Sequence, residues 1–262
     1  MIEPSRSSLF RCTGSALFLL AVMLLAAPLS FAESIAPADP ALKQAVDQMI
    51  EQYIRAHPEV IEQSLQALAV KRQEEEKQRV NAAIATRQSD LLHDPLSPVS
   101  GNPQGDVTLV EFFDYRCGFC KRAAGAVTQL QQEDTRVRVV YKDLPILGEA
   151  SELAAKAALA SKAQGKHQAF HEALLATKDE MTKDTILAIA GDIGLDATRL
   201  ETDMANPEWQ TVIDRNRALA KDLGISGTPR FIVGTELVPG ALDVNGLKEL
   251  VARHGTYQQL PP

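Results

Sequence analysis

Cysteine is scarce in this sequence: three in 262 residues, at positions 12, 117 and 120. A secreted domain stapled by several disulfides needs more, so that class is excluded. A structural zinc site wants four ligands, and no second cysteine pair or neighbouring histidine supplies them. Methionine is also sparse. Only Met49, Met181 and Met204 follow residue 32, so there is no methionine-rich copper site. Basic residues are scattered and the net charge is −7, which is not the footprint of a nucleic-acid binder. After the first 32 residues no long apolar run occurs, so no later stretch reads as a membrane span.

What is present begins with a leader. Arg6 and Arg11 precede an apolar run from Ala16 to Ala27, then Ser30-Phe31-Ala32. This is the charged, apolar and small-residue order of a secretory signal peptide. Cleavage is expected after Ala32, with residues 1–32 as signal peptide and Cys12 lost with it. The mature chain then keeps two cysteines, both in one Cys-x-x-Cys. In an oxidising compartment such a lone pair reads as working redox chemistry rather than stapling.

The ten residues Glu111-Phe112-Phe113-Asp114-Tyr115-Arg116-Cys117-Gly118-Phe119-Cys120 carry that pair. The apolar run Val107 to Phe113 predicts a buried, central strand. The spacing of Lys121, Ala123, Ala124, Val127 and Leu130 predicts a helix directly after it. Cys117 is thus expected at a helix N-terminus, where free N–H groups and the helix dipole stabilise a thiolate. In such motifs the thiol pKa falls from about 8.5 to roughly 3.5–7.5. Cys120, one turn on, is placed to attack a mixed disulfide on Cys117 and release the substrate.

Upstream, Leu42, Val46, Met49, Ile50, Tyr53 and Ile54 recur at helical spacing. Pro58 breaks the pattern, and a second helix carries Ile61, Leu65, Leu68, Val80 and Ile84 to about Asp90. Residues 33–93 read as a helical segment whose apolar stripe is expected to join copies of the chain through residues 41–90. The charge run 71–79 reads as a solvated face. Residues 94–105, rich in Pro and Gly, read as a linker. Residues 106–262 read as the redox domain: strand, helix, strand (Val137 to Lys142), a helical block at 149–223, a hairpin of Arg230–Val233 and Glu236–Val238, and a last helix from Asp243 ended by Gly255. The block's caps are Asp196 and Asn206-Pro207.

Glu111 lies inside the apolar strand, where a carboxylate is costly unless paired or protonated. Lys142 is a candidate partner. Arg116 could favour a Cys117 thiolate electrostatically. His167 and His171, one turn apart, lack the glutamate that a zinc protease needs after the first histidine.

This order, with Leu109 to Cys120, Tyr141-Lys142-Asp143-Leu144-Pro145-Ile146-Leu147-Gly148 and Gly224-Ile225-Ser226-Gly227-Thr228-Pro229, resembles the DsbA-like family of periplasmic thiol–disulfide oxidoreductases. The N-terminal helices resemble its ScsC-like, copper-sensitivity-suppressor branch. The resemblance implies an α/β, thioredoxin-like fold with a helical insertion, preceded by an all-helical segment. It implies a cis peptide before Pro229, lying across from Cys117, where Thr228, Pro229 and Phe119 meet the substrate chain by strand addition. It implies that Glu111 lies beneath the cysteines and assists proton transfer, and that the His-x-x-Phe-His pattern is helix packing.

Strongly oxidising members carry Pro-His between the cysteines. Gly118-Phe119, with threonine before the proline, is similar to isomerase-type members. The expected function is a periplasmic thiol–disulfide oxidoreductase without cofactor or metal, acting as an oligomeric isomerase. Its expected partners are unfolded or misfolded secreted proteins and a membrane redox protein, DsbB-like or DsbD/ScsB-like. The alternatives are a DsbA-like oxidase, a copper(I)-binding thiol protein using Cys117 and Cys120, and a scaffold whose disulfide is passive.

Overall fold

The computed structural model describes residues 39–254. The leader with its cleavage after Ala32, Cys12, and the expected stop at Gly255 lie outside them. The chain divides into two units, residues up to Glu62 and residues from Gln63.

In the first unit, the Asp39 carboxylate accepts a hydrogen bond from Ala41 N and Pro40 opens helix α1 (Pro40–Ala56). These are the side-chain cap and N1-proline signals of a helix start. His57, held out of helical geometry ahead of Pro58, ends α1. Helix α2 (Glu59–Thr86) starts in this unit and runs on as the first element of the second. Leu42, Met49, Ile50 and Tyr53 are each more than half exposed.

The second unit is built on a five-stranded sheet: β1 (Val99–Gly101), β2 (Val107–Phe113), β3 (Val137–Asp143), β4 (Arg230–Val233) and β5 (Glu236–Pro239). The spatial order is β1-β3-β2-β4-β5. β2 runs parallel to β3, and the other pairs are antiparallel. As expected, β2 is central and buried throughout.

Period-two alternation gives the sheet two faces. Leu109, Phe113, Val139, Tyr141 and Phe231 point to one, and α4 (Gly118–Glu133), α10 (Val244–His254) and the insertion cover it. Val110, Phe112, Val140 and Ile232 point to the other, covered by Val80 and Ile84 of α2, Leu91 of α3 (Gln88–Leu92) and Leu219 and Leu223 near the end of α9 (Pro207–Asp222). Each such buried side chain contributes about 1.5–3 kcal/mol by leaving water. The insertion is α5 (Glu149–Ser161), α6 (His167–Ala176), α7 (Lys183–Asp192), α8 (Ala197–Asp203) and α9. Asp196 and Asn206 cap α8 and α9 through their side chains, as their sequence predicts.

Two expectations are corrected. The stretch 94–105 is not merely a linker. It contains β1, which pairs Val99 with Val140 and Ser100 with Val139, and Ser100 Oγ donates to Tyr141 Oη at 2.9 Å. An edge strand tolerates proline at its start, and Gly101 (φ 73°) leaves no room for a side chain, since a Cβ there would stand 2.5 Å from the Val137 carbonyl oxygen. Nor is the apolar stripe of residues 41–90 all free for self-association. Leu65 and Val70 are exposed, but Val80, Ile84 and Leu91 are buried against the sheet.

Candidate active site

β2 ends at Phe113, and Asp114, Tyr115 and Arg116 lead to Cys117, which takes the N-cap of α4 with extended backbone (φ −71°, ψ 115°). The Asp114 carboxylate shapes this turn. Its Oδ1 accepts from Arg116 N (2.7 Å) and Ser151 Oγ (2.8 Å), and its Oδ2 from Ile146 N (2.8 Å) and Leu147 N (3.0 Å). One buried carboxylate thereby ties the β2–α4 turn to the loop after β3 and to α5. Asp114 is legible in sequence only as part of the motif; an aspartate directly after a buried strand, ahead of a helix, is the turn-forming signal that singles it out.

From the far side comes the loop before β4. The Thr228–Pro229 peptide is cis, and the Thr228 carbonyl oxygen accepts from the Cys117 thiol at 3.3 Å. Residues 111 positions apart in sequence thus meet, in the arrangement expected for them.

The two thiols sit in different surroundings. Cys117 is 8 % exposed and Cys120 fully buried. Burial acts to raise the Cys117 pKa, but hydrogen bonds from the Thr228 side chain and from Cys120 and Phe119 outweigh it and leave it below its ordinary value. Burial dominates at Cys120 and pushes its thiol far up. Phe119 is 57 % exposed beside them, with the Arg122 guanidinium 4.2 Å above its ring. Arg116 makes no hydrogen bond to the Cys117 sulfur; its Nη1 donates to the Leu147 carbonyl at 2.6 Å.

Glu111 is buried, pairs in register with Tyr141 and Phe231, and lies on the face that carries the cysteines. It hydrogen-bonds neither thiol, and its Oε1 has no partner among the described residues. Burial raises its pKa to about 8, so it holds a proton at neutral pH. Lys142 is not its partner. Adjacent strand residues point to opposite faces, and Lys142 Nζ donates instead to the Asp90 carbonyl (2.5 Å) and Ser97 Oγ (2.6 Å), with Asp94 at 3.6 Å.

The buried histidines pack as aromatic groups. Tyr115 Oη and His171 Nδ1 share a hydrogen bond of 3.0 Å, and His171 stands edge-on to Phe113 at 4.8 Å between ring centroids. Burial lowers His171 to about 3, so it is neutral. No cluster of three or more His, Cys, Asp or Glu side chains is arranged to hold a metal ion among the described residues. Beside the site, a groove of about 1000 Å³ runs between Pro145–Ile146 and Gly224–Ser226; neither cysteine lines it.

Comparison with known proteins agrees with this geometry. The profile of the DSBA-like thioredoxin domain matches residues 108–252. A thioredoxin-like oxidoreductase from Silicibacter pomeroyi is 47% identical, with a TM-score of 0.61 over 63% of this chain and 95% of that one. A linker-deletion mutant of Proteus mirabilis ScsC is 25% identical, with a TM-score of 0.64 over 84% of this chain and 98% of its own. Among curated proteins, a Na(+)/H(+) antiporter NhaA of Salinispora tropica is 32% identical over 166 residues, 63% of this chain; the chain spans about 26% of that protein's length. Domain profile and solved likenesses converge on one fold, built around Cys117, Cys120 and the loop at Pro229: the chain belongs to the DsbA-like thioredoxin family, and within it resembles the ScsC-type thiol–disulfide oxidoreductases.

Proposed function

We propose that the chain is a periplasmic thiol–disulfide oxidoreductase that works as an oligomeric disulfide isomerase. One observation carries the chemistry: a Cys117 thiol at a helix N-cap, held below its ordinary pKa and facing the Thr228 carbonyl, beside a buried, high-pKa Cys120. The Cys117 thiolate attacks a substrate disulfide. A bond forms between Cys117 Sγ and one substrate sulfur, and the other leaves as a thiolate. That thiolate can attack elsewhere in the substrate and reform the correct pair, releasing Cys117. When it does not, Cys120 loses its proton and displaces the substrate, leaving a Cys117–Cys120 disulfide and a substrate reduced by two electrons. The Cys120 proton passes to the departing substrate thiolate, and Glu111, buried beneath the cysteines and itself protonated at neutral pH, is the proton carrier that serves this exchange. Thr228 and Pro229 align the substrate backbone, and Phe119 packs against it. A membrane redox protein, DsbD/ScsB-like for an isomerase, resets the pair, and the leader exports the chain.

The isomerase reading draws on the exposed apolar side chains of Leu42, Met49 and Tyr53 on α1 and of Leu65 on α2, which suit burial against other copies of the chain, and on the likeness to ScsC that extends over most of the chain. The oxidase reading has its own support, because a stabilised thiolate favours the reduced pair and makes the disulfide more oxidising. Refolding of a scrambled multi-disulfide protein separates the two, comparing the mature chain with a Met49→Glu/Leu65→Glu variant. Loss of both oligomer mass by light scattering and reshuffling, with oxidation of reduced substrate retained, supports the isomerase. Equal reshuffling by both forms removes the helices from the mechanism, and an intact Cys117→Ser variant that still reshuffles disulfides rules the chemistry out.

A further inference from the structure

Three arginines around Cys117 have no carboxylate partner among the described residues. Eight described arginines hold a carboxylate within ion-pair distance: Arg55, Arg79, Arg87, Arg136, Arg199, Arg215, Arg217 and Arg253. Of the five described arginines that form no such pair, three lie at the site. Arg116 precedes Cys117, Arg122 stands in the first turns of α4, and Arg230 follows Pro229. Arg116 spends one contact on the Leu147 carbonyl, Arg122 lies over Phe119, and Arg230 donates to the Pro229 carbonyl at 3.2 Å. A guanidinium has five N–H donors, so each retains donors directed elsewhere.

The Cys117 thiol is governed chiefly by burial, which raises its pKa, and by hydrogen bonds of Thr228, Cys120 and Phe119, which lower it. None of the three arginines contributes an ion pair to stability among the described residues. They remain exposed at Arg116 and Arg122, in a protein whose net charge is −7. Interleaved with them are Phe119, Ile146 and Leu147, which are 57 %, 44 % and 44 % exposed. Glu149, an acidic residue in the first turn of α5, follows Gly148, where a Cβ would stand 4.0 Å from Arg116 Nη1.

We infer that the site selects substrate segments whose cysteine is flanked by carboxylates and an apolar or aromatic residue. Arg116 and Arg122 take the carboxylates, and Phe119, Ile146 and Leu147 take the apolar side chain. Arginine suits this because its planar fork matches a carboxylate in two parallel hydrogen bonds. Uncompensated charge beside a reactive atom also steers oppositely charged partners toward it. The inference rests on the thiol-exchange reading and names its substrate class. In the exchange, the Cys117 thiolate forms a bond to one peptide sulfur, the peptide S–S bond breaks, and the second peptide leaves as a thiolate. Cys120 then forms the protein disulfide and expels the first peptide, its proton passing to a released thiolate. Two electrons go from the protein dithiol to the peptide disulfide.

The test uses the reduced, full mature chain and three disulfide-linked peptides that differ only in the residues flanking Cys-x-Phe: glutamate, glutamine or lysine. Each second-order rate is divided by that of the same peptide with dithiothreitol, which removes its intrinsic reactivity. Neutral hydroxyethyl disulfide is the control substrate. At 20 mM salt the glutamate peptide should react about ten-fold faster than the lysine peptide. At 0.5 M salt, where the Debye length falls below about 5 Å, the ratio should shrink to about two-fold or less. An Arg116→Gln/Arg122→Gln variant should flatten the series, and Glu149→Gln should steepen it. Equal rates for all three peptides, with hydroxyethyl disulfide still exchanged, overturn this inference alone. Failure to exchange any disulfide overturns the thiol-exchange reading beneath it.

Discussion

The two faces of the central sheet treat buried charge in opposite ways. On the face covered by α2, α3 and α9, Lys142 is surrounded by acceptors: the Asp90 carbonyl, Ser97 Oγ and the Asp94 carboxylate. On the face toward the cysteines, Glu111 leaves one carboxyl oxygen without a partner, and Asp143 leaves both. A buried charge with partners fastens structure. Here Lys142 pins residues 90–97 to β3, and Asp94 in turn holds Arg215 of α9 at 3.1 Å. A buried acid without partners stabilises no charged state, so it keeps its proton to unusually high pH. Glu111 rises to about 8 and Asp143 to about 7, each chiefly by burial. The face that supports the chemistry is the one that stores protons.

The largest consequence of this contrast is the pH dependence of stability. Between 4.5, its ordinary value, and about 8, Glu111 is ionised in the unfolded chain and protonated in the folded one. Its contribution is full below pH 4.5 and is lost as pH rises to 8; the shift corresponds to on the order of 4 kcal/mol. Asp143 acts in the same direction between 3.8 and about 7. Urea unfolding at pH 5 and pH 8 should show this fall, and Glu111→Gln should remove much of it. A wild-type protein equally stable at both values contradicts the assignment. Lys142 has the opposite slope. Burial lowers it from 10.5 to about 8, so the unfolded chain binds the extra proton between those values and stability rises with pH there.

Next in size is Lys142→Ala, which strands Ser97, the Asp90 carbonyl and Asp94. It should destabilise by about 3 kcal/mol while the exchange rate with a small disulfide stays within about two-fold. If the rate falls much further with the fold intact, Lys142 is not purely structural. The smallest effect is that of Tyr115→Phe, which leaves the His171 ring nitrogen without its hydroxyl partner. About 1–2 kcal/mol of stability should be lost, read by thermal unfolding, with no change in the sign of the pH slope.

Much of this architecture was legible in the sequence because its signals are local. The continuous run Val107 to Phe113, the helical spacing after Cys120, and the caps at Asp196 and Asn206 each act within a few residues, and the elements form where expected. What escaped depends on partners remote in the chain. β1 is three residues long, ends in glycine, follows a proline, and is a strand only because the edge of β3 is there to receive it. Lys142 sits one residue from the register partner of Glu111, and strand alternation sends it to the opposite face. The apolar positions of α2 are interrupted by the charged run 71–79, and the sheet covers only those beyond it, Val80 and Ile84. Asp114 reads as an ordinary turn residue until Ile146, Leu147 and Ser151 arrive to donate to it. In the site itself, the Cys117–Thr228 meeting was reached through family resemblance; nothing in the local sequence joins residues 111 positions apart.

The most direct measurement is the pH dependence of alkylation of the reduced mature chain, with each cysteine followed separately by peptide mass spectrometry. Cys117 should be modified first, with an apparent pKa below the ordinary thiol value of about 8.5, while Cys120 stays unmodified through neutral pH. Two cysteines that react alike, or a Cys120 that reacts first, would contradict the division of labour on which the mechanism rests.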